Sequence, residues 1–531
     1  MSTVTSKPFW RREPGYLLPA SLLTLALLAN AELCRAGSIA ASKGKVPPPT
    51  NSAAMAASAT ADCPLLALEL QRYPDATVRS ALAYGLKGDG KTDEYDAFQR
   101  VASDISNRRF TKRMIIYFPA GTYYINRYVR ESGAAANTNK HIKYANSANF
   151  SLIGCMGATI SVKGDFQMTN DTTLGSRAWY SMTQQVNPFY LEASSHFRIS
   201  GFEINGNVDK MTRQSPADGK GVAEPSSYGM LTFGARNYEI SHMRIHHFSA
   251  DGILVGASYT ADDNGLFESV EAYNNARQGV SVIQATNLKF VNSIFRDTGI
   301  TGGAYPSHSP RAGVDIEPNW TPAEGASVKT GNITFENCRF ENNLGSQFVT
   351  GGNGATVENI RISNSKIIGR VGGFPYVVIM SVPGGIIENS YIDTATGGIY
   401  PFFNNEQGSI QSVNTVLRGN TIASAGVGLV AADLDARVVV ENNTFVSNHD
   451  PKKKELYFPH ITRGVVRFSG NQINYDVKNF GNNSVVGLIR APEFINNTLT
   501  TNRNKGSYYV GVTDAAQRAK NRISDHIQIG P

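Results

Sequence analysis

Apolar and polar residues alternate along short stretches of this chain, and an asparagine closes many of these stretches before the next apolar residue. Residues 333–340 read Ile-Thr-Phe-Glu-Asn-Cys-Arg-Phe, and residues 360–367 and 386–392 repeat the pattern. From position 337 onward such asparagines recur every 23 to 31 residues, at 337, 364, 389, 420, 443, 471 and 497, and another lies earlier at 292. A period of this length is typical of a solenoid in which each repeat forms one coil.

The alternation predicts β-strands that pair from coil to coil, with every second side chain pointing into a narrow apolar interior. Asparagine suits the bends between strands because it tolerates left-handed backbone angles and can stack its amide on the amide of the next coil. We therefore interpret the asparagines as structural residues. A solenoid grows in one dimension and needs no second core, so the 531 residues predict one elongated all-β domain of about ten coils.

Two motifs lie before the repeats. Residues 84–93 contain Gly-Asp-Gly-Lys-Thr-Asp and run into a helix-like segment at 94–102, and residues 114–123 contain Phe-Pro-Ala-Gly-Thr-Tyr. Together the motifs resemble the N-terminal cap and first coil of the pectate-lyase-like superfamily, which holds polygalacturonases, rhamnogalacturonases, exo-glucanases, uronan epimerases and phage depolymerases. The resemblance implies a right-handed parallel β-helix with an N-terminal capping helix, and it leaves the reaction open.

The first residues resemble a secretory leader. Basic residues at 7, 11 and 12 precede an apolar run at 16–28, and Ala-Asn-Ala follows as a cleavage site. We predict a signal peptide at 1–31, a flexible linker at 32–75, and a secreted or periplasmic protein without stable membrane insertion after cleavage. The β-helix domain is predicted at 76–531.

The two ends of the predicted domain need caps, because an open solenoid exposes strand edges. The N-terminal cap is placed at about 76–125 and the C-terminal cap at about 505–531. Within the latter, residues 508–512 are predicted to form a last strand and residues 515–521 a short helix over the open end.

Cysteine and acidic residues set limits on bridges and metals. Beyond the leader region, Cys63, Cys155 and Cys338 allow at most one disulfide among them. No cysteine or histidine spacing indicates a zinc site, and no cofactor is expected. The stretch Asp262-Asp263-Asn264 is compatible with calcium binding, but three polar residues in a loop are more often only a turn.

The net charge of +7 suits an acidic partner. A basic exported protein concentrates polyanions such as uronate-containing polysaccharides, although a mildly basic surface can also serve only solubility. Export and the absence of a nucleic-acid-binding motif argue against nucleic acid. We therefore expect an acidic polysaccharide as the partner.

Irregular coils predict the position of a cleft, since loops that leave a rigid scaffold together tend to wall one. Aligning the strands of these coils on glycine places Ile253, Val255, Val280, Val282, Val314 and Ile316 inward. The same alignment leaves Asp315 and Glu317 on the outer face, roughly 6.6 Å apart, which is nearer the spacing of inverting than of retaining glycosidases. We predict both as catalytic residues, with Asp251, which precedes its glycine and is expected in a turn, as a weaker third candidate. The excursions are predicted at 206–227, 258–265, 302–311 and 318–330.

Arg277 and Arg311 occupy equivalent places in successive coils of this alignment. Stacked guanidinium groups repel unless an anion lies between them, and the candidates are Asp315, Glu317 or a substrate carboxylate. A salt bridge that only fixes strand register explains the same residues without a substrate. The predicted substrate-binding residues are Arg277, Arg311, Asn319, Trp320 and His308, with Tyr305 on the same rim.

Residues 312–319 and 277–283 also resemble a stretch that recurs in β-helix polysaccharide depolymerases. The Asn-Thr-Asp-Gly and Gly-His-Gly stretches of polygalacturonases and the Asp-Pro-His-Glu stretch of secreted mannuronan epimerases are absent. The paired carboxylates favour a glycoside hydrolase, in which one protonates the leaving oxygen and the other activates water. A lyase or C5-epimerase that uses an arginine to neutralise a uronate carboxylate, and a non-catalytic carbohydrate-binding or exopolysaccharide-assembly protein, stay open as alternatives.

Overall fold

The computed structural model describes residues 62–130, 140–169, 183–213, 227–256, 261–318, 330–351, 357–380, 382–395, 398–400, 414–424, 428–431, 437–447, 460–461, 464–474, 485–489, 491–500, 508–512, 515–524 and 527–530. Parallel strands dominate it and stack in three columns, with one strand of each column in a typical coil. The predicted all-β right-handed parallel β-helix is confirmed. The third column alone contains 14 strands, so the coils outnumber the predicted ten.

Columns 1 and 2 form one 27-stranded sheet because two long strands, Arg236–His246 and Asp262–Tyr273, run through the bend and belong to both. The other strands of column 1 are Thr77–Ser80, Arg109–Phe118, Ala148–Gly154, Ser195–Ser200, Ala285–Val291, Thr330–Glu336, Val357–Ser363, Ile386–Glu388, Val416–Arg418, Val438–Glu441, Val465–Ser469 and Glu493–Ile495. Those of column 2 are Asp89–Asp93, Gly121–Ile125, Ala158–Val162, Glu203–Asn205, Ile294–Arg296, Arg339–Glu341, Lys366–Ile368, Tyr391–Asp393, Thr421–Ser424, Thr444–Ser447, Gln472–Asn474, Thr498–Thr500 and Arg522–Ile523.

Column 3 is the separate 14-stranded sheet, and it carries the candidate site. Its strands are Lys143–Ala145, Phe189–Glu192, Met230–Phe233, Asp251–Val255, Gln278–Val282, Val314–Ile316, Phe348–Thr350, Tyr376–Ile379, Gly398–Tyr400, Gly428–Ala431, His460–Ile461, Val485–Ile489, Tyr508–Val512 and Ile527–Gly530. Two short pairs lie outside the columns: Tyr128–Arg130 with Thr183–Gln185, and Gln167–Met168 with Thr212–Arg213.

Stacked side chains fill the interior. Phe267, Phe290 and Phe335 lie in successive coils, with ring centroids 4.5 and 4.7 Å apart and nearly parallel planes. These distances match the spacing of paired strands, so register between coils and packing inside the tube stabilise each other. Among the described residues, no helix combines the length and apolar character that crossing a bilayer requires.

The N-terminal motifs close the first end of the tube. The helix Tyr95–Ile105 buries Phe98, Val101 and Ile105, which confirms the capping helix and extends it beyond the predicted 102. Gly88 has a left-handed backbone, and a Cβ on Gly121 would lie 2.6 Å from the Gly88 carbonyl oxygen. The two motifs therefore pack backbone against backbone, which explains why they occur together.

The described residues include a helix that lies before the predicted boundary at 76. A helix at Pro64–Arg72 lies within the segment predicted as linker 32–75, and a disulfide joins Cys63 to Cys155. Leu66 of this helix packs with Ile115 and Ile153 of column 1. The linker prediction is thus wrong for this part, because an apolar helix face and a covalent bond fix it to the β-helix. Cys338 is free and buried.

The other end also differs from the prediction. The strand Tyr508–Val512 is present, but it is not the last one, since Ile527–Gly530 pairs with it in column 3. The predicted helix is a 3-10 helix at Ala515–Lys520. It precedes the strand Arg522–Ile523 of column 2, so it connects strands within a further coil.

The regularly spaced asparagines form two different columns at the bend between columns 1 and 2. Asn337, Asn364 and Asn389 have left-handed backbones, as predicted. Asn443 and its equivalents are instead the next residue along and are buried, each amide donating to the carbonyl oxygen of the following side chain at 2.9–3.1 Å. In earlier coils serine or cysteine takes this buried place. The buried bend column comprises Ser293, Cys338, Ser365, Ser390, Asn420, Asn443, Asn471, Asn497 and Asn521.

Candidate active site

Three adjacent strands of column 3 carry the candidate site: Asp251–Val255, Gln278–Val282 and Val314–Ile316. Each has a glycine at its start, and these glycines are stacked. A Cβ on Gly252 would lie 2.8 Å from the Gly279 carbonyl oxygen, and a Cβ on Gly279 would lie 2.4 Å from that of Gly313. The coils therefore approach each other here as closely as only glycine allows, which brings the polar residues beside the glycines together.

The inward half of the predicted alignment is confirmed. All six predicted inward residues are fully buried, and Val280 pairs with Val314 in the parallel register. The same register sets Ser281 beside Asp315. Asp315 thus faces away from the core, as its position between Val314 and Ile316 requires.

The two predicted catalytic carboxyl groups have different surroundings. Asp315 is only 4% exposed although it faces outward, whereas Glu317 is exposed. Burial raises the pKa of the Asp315 carboxyl well above its usual range, the negative charges of Glu317 and Asp251 raise it further, and Arg277 opposes them. Desolvation dominates because a charge is costly to remove from water. The Asp315 carboxyl therefore favours its protonated form.

Arg277 forms an ion pair with Asp251. Its Nε and Nη2 atoms donate to the two Asp251 carboxylate oxygens at 2.7 and 2.5 Å, and the Ser281 hydroxyl donates to Asp251 Oδ2 at 2.7 Å. Asp251 is completely buried and begins its strand, which corrects the expectation that it lies in a turn. The anion beside Arg277 was predicted to be Asp315, Glu317 or substrate, but the bidentate partner comes from the preceding coil.

Gln278 joins this pair to Asp315. Its backbone pairs with Asp251, and its Nε2 donates to Asp315 Oδ2 at 2.7 Å. Gln278 and Ser281 were not among the predicted site residues. A signal was present, because Ser281 is a polar residue on the outer face of a mid-strand position and Gln278 follows an arginine directly before the aligned glycine.

Arg311 differs from Arg277 despite its equivalent place in the next coil. Its backbone is left-handed, with φ 58°. Its Nη2 donates to the Ser307 carbonyl oxygen at 3.3 Å, and its Nε has no hydrogen-bond partner among the described residues. Within the described part of the chain, Arg311 forms no ion pair with a carboxylate.

The other predicted rim residues are divided. His308 is half-buried, and its Nε2 lies 3.0 Å from the Ser249 carbonyl oxygen. Tyr305 is buried in a small apolar cluster with Met168 and Val208, so it is not a surface platform for a sugar. Asn319 and Trp320 lie outside the described residues.

The acidic stretch at 262–264, which was expected in a loop or turn, lies in a strand. Asp262 begins a strand and is fully buried. Its carboxylate accepts hydrogen bonds from the Ala235 amide at 2.9 Å and the Tyr238 hydroxyl at 3.0 Å. Among the described residues, no group of three or more His, Cys, Asp or Glu side chains is placed to hold a metal ion.

The chain is similar to a known protein family and to several solved β-helix structures. The family described as rhamnogalacturonase A/epimerase, pectate lyase-like matches residues 78–400. The chain is similar to the mannuronan C-5 epimerase AlgE4 A-module of Azotobacter vinelandii, with 13% identity over 86% of this chain and 100% of that one and a TM-score of 0.41. It is similar to the surface adhesin PfbA of Streptococcus pneumoniae, with 13% identity over 86% of this chain and 100% of that one and a TM-score of 0.44. It is also similar to the catalytic unit of an alpha-1,3-glucanase of Streptomyces thermodiastaticus, with 12% identity over 85% of this chain and 68% of that one and a TM-score of 0.30. Curated protein sequences give no match.

Proposed function

Because the chain belongs to the rhamnogalacturonase A/epimerase, pectate lyase-like family, we propose that it is a secreted or periplasmic glycoside hydrolase that acts on an acidic polysaccharide. The proposed catalytic residues are Asp315 and Glu317. The proposed substrate-binding residues are Arg277, Arg311, His308, Asn319 and Trp320. No cofactor or metal enters the reaction, since the two carboxyl groups supply both the acid and the base.

One observation carries the proposal: two carboxyl groups on one face of one strand end have opposite surroundings. Asp315 is buried and its pKa is raised, whereas Glu317 two residues later is exposed. Two carboxyl groups with such different environments are typical of the acid and base pairs of glycosidases. Asp315 is therefore assigned as the acid and Glu317 as the base.

The reaction balances with these two residues and one water. Asp315 gives its proton to the glycosidic oxygen while the bond between that oxygen and the anomeric carbon breaks. The water oxygen bonds to the anomeric carbon, and Glu317 accepts the water proton. The products are two shorter chains, one with a new reducing end, and proton exchange with solvent restores both carboxyl groups.

The arginines support an acidic substrate. Asp251 already neutralises Arg277, so Arg277 organises the site more than it attracts an anion. Arg311 has no such partner in the described part of the chain and offers its guanidinium to a uronate carboxylate, for which bidentate geometry is favourable. Charge attraction of this kind weakens as salt is added.

The same arginine also favours a second candidate, a uronate lyase or C5-epimerase. A guanidinium on the substrate carboxylate would acidify the neighbouring C–H and allow a base to remove the proton. Glu317 would then be that base, and Asp315 would have no protonated role in the first step. The third candidate function is that of a non-catalytic carbohydrate-binding or exopolysaccharide-assembly protein.

The test is to incubate the mature protein with neutral and uronic-acid polysaccharides and to follow reducing ends and the ultraviolet absorbance of unsaturated uronate together. Hydrolysis is expected to produce reducing ends without the absorbance, and only on acidic substrates. Both signals together would mean a lyase and would overturn the hydrolase assignment. Binding without either signal would favour the epimerase or the non-catalytic protein, and exchange of the sugar C5 hydrogen with deuterated water separates those two.

A further inference from the structure

Gln278 lies between the Asp251–Arg277 ion pair and the proposed acid. We propose that Gln278 is a positioning residue that determines which oxygen of Asp315 carries the transferable proton. This inference rests on the proposed function, in which Asp315 acts as the acid. It adds to that function a residue that does not itself react.

The geometry of the contact leads to this assignment. Gln278 is 2% exposed, and its Nε2 donates to Asp315 Oδ2 at 2.7 Å. The carbonyl oxygen of a protonated carboxyl is a stronger hydrogen-bond acceptor than its hydroxyl oxygen, so the Gln278 N–H favours Oδ2 as the carbonyl oxygen. The proton of Asp315 therefore favours Oδ1.

No second contact competes for this role in the described part of the chain, where Gln278 is the one residue that hydrogen-bonds the Asp315 carboxyl. The charged groups that face Asp315 are Glu317 on its own strand end and Arg277 and Asp251 in the preceding coils. Its neighbours in the strand register are Ser281 and Val349. The charged groups bias the protonation equilibrium, and the glutamine amide selects the oxygen.

The other end of the amide argues that this contact is not made for stability. Gln278 Oε1 is buried and has no hydrogen-bond partner among the described residues. A buried acceptor without a partner is unfavourable, so this end of the glutamine lowers the stability that its other end provides through Asp315. Positioning of Asp315 explains why a glutamine occupies the place.

The contact also serves the step after proton transfer. When Oδ1–H gives its proton to the glycosidic oxygen and the C–O bond breaks, Asp315 becomes a carboxylate. The N–H bond at Oδ2 then becomes a charge-assisted bond, which is stronger than the bond to the protonated acid. We therefore expect loss of the Gln278 amide to favour the protonated form of Asp315.

Gln278→Met tests the inference, with Gln284→Met as the matched control. Gln284 is also 2% exposed with a buried Oε1 that has no partner, and it follows the same strand, but it has no hydrogen bond to Asp315. The carboxylic-acid C=O stretch of Asp315 can be titrated by infrared difference spectroscopy without substrate, once its loss in Asp315→Asn has assigned it. We expect Gln278→Met to move the titration midpoint upward by about one pH unit and Gln284→Met to leave it unchanged.

Activity and melting temperature separate positioning from a structural role. In Gln278→Met we expect the alkaline limb of the kcat/KM profile to rise with the infrared midpoint and turnover to fall about tenfold. We expect Tm to change little, because the lost bond to Asp315 is offset by removal of the unpartnered Oε1. A lower Tm with an unchanged midpoint would make Gln278 a structural residue and overturn the inference. A shifted midpoint in a protein that cleaves no polysaccharide would instead overturn the proposed function and leave the control of Asp315 by Gln278 supported.

Discussion

Buried polar groups occur in two regions of this β-helix, and they are organised in opposite ways. In the buried bend column, each side chain from Ser365 onward accepts a hydrogen bond from the equivalent residue one coil earlier, as Asn443 does from Asn420. At the candidate site, Asp251, Gln278 and Asp315 also come from successive coils, but each is a different residue type with a different partner. The first arrangement repeats along the axis, whereas the second occurs once.

The difference separates structure from chemistry. A repeated polar column satisfies its own hydrogen bonds and stabilises the solenoid coil by coil. The polar cluster at the site removes the Asp315 carboxyl from water, and among the described residues it leaves Gln278 Oε1 without a hydrogen-bond partner. Buried polar groups that lower the stability of the fold are expected at functional sites.

The largest expected effect is on turnover at the site. Asp315→Asn removes the proton donor while keeping the side-chain shape, so kcat/KM should fall by about 10²- to 10⁴-fold. The Tm should stay equal or increase, because a desolvated carboxyl is removed. Glu317→Gln should lose comparable activity at unchanged Tm, since Glu317 is exposed. Retained turnover in both variants would contradict the assignment of the acid and the base.

Asp251→Ala should have the largest effect on stability. It leaves the Arg277 guanidinium without its carboxylate and Ser281 Oγ without its acceptor, and breaking such a buried pair costs about 3 kcal/mol of unfolding free energy. Urea unfolding measures this loss. The double variant Asp251→Leu with Arg277→Met should recover most of it. A loss below about 0.5 kcal/mol, as at exposed ion pairs, would mean that the pair is not a buried unit.

The bend column should respond in a graded manner. Asn443→Ala removes bonds to the Leu417 carbonyl oxygen and to Asn471, and it leaves the Asn420 amide without its acceptor, so we expect a loss of about 2 kcal/mol. Asn443→Ser should lose only about half as much, because serine fills the same column at Ser365 and Ser390. Turnover should not change in either variant. Equal losses for alanine and serine would show that the column does not act through its hydrogen bonds.

The smallest expected effect concerns pH. Burial raises the pKa of Asp262 from 3.8 to about 6, so the folded state favours the protonated carboxyl. The associated stability is complete below pH 3.8 and is lost as the pH rises through about 6. The unsubstituted protein should therefore lose about 1–2 kcal/mol of unfolding free energy between pH 4 and pH 7 that the variant Asp262→Asn does not lose. A difference that is independent of pH would contradict the raised pKa.

The sequence was sufficient for the fold because the repeat constrains every coil in the same way. The alternation at Val280, Val282, Val314 and Ile316 gives the inward face, and the stacked glycines align the strands. The sequence pattern does not separate the two asparagine columns, because asparagine occupies both the left-handed position and the buried position, and these are adjacent in the chain. The interval between Asn389 and Asn420 contains one extra residue because it crosses from one column to the other, and the coil itself is also long, since Ile386 pairs with Val416.

The site was harder to predict because its contacts run diagonally between coils. Arg277 and Arg311 are equivalent in the alignment, and equivalence gives no reason for Arg277 to bind Asp251 of the preceding coil rather than Asp315. The burial of Asp315 also follows from tertiary surroundings and not from its parity in the strand. Periodicity therefore located the strands and the outward carboxyl groups, whereas the partners depend on side-chain reach.

The central claim is that the non-repeating cluster performs hydrolysis, and labelled water tests it most directly. An acidic polysaccharide that the protein shortens would be digested in oxygen-18 water, and the products analysed by mass spectrometry. We expect one labelled oxygen at the new reducing end for each bond cleaved, and no incorporation with Asp315→Asn. Shortened chains without label, with an unsaturated sugar at the other end of the cleaved bond, would show elimination and contradict the assignment of Asp315 as the acid and Glu317 as the base that activates water.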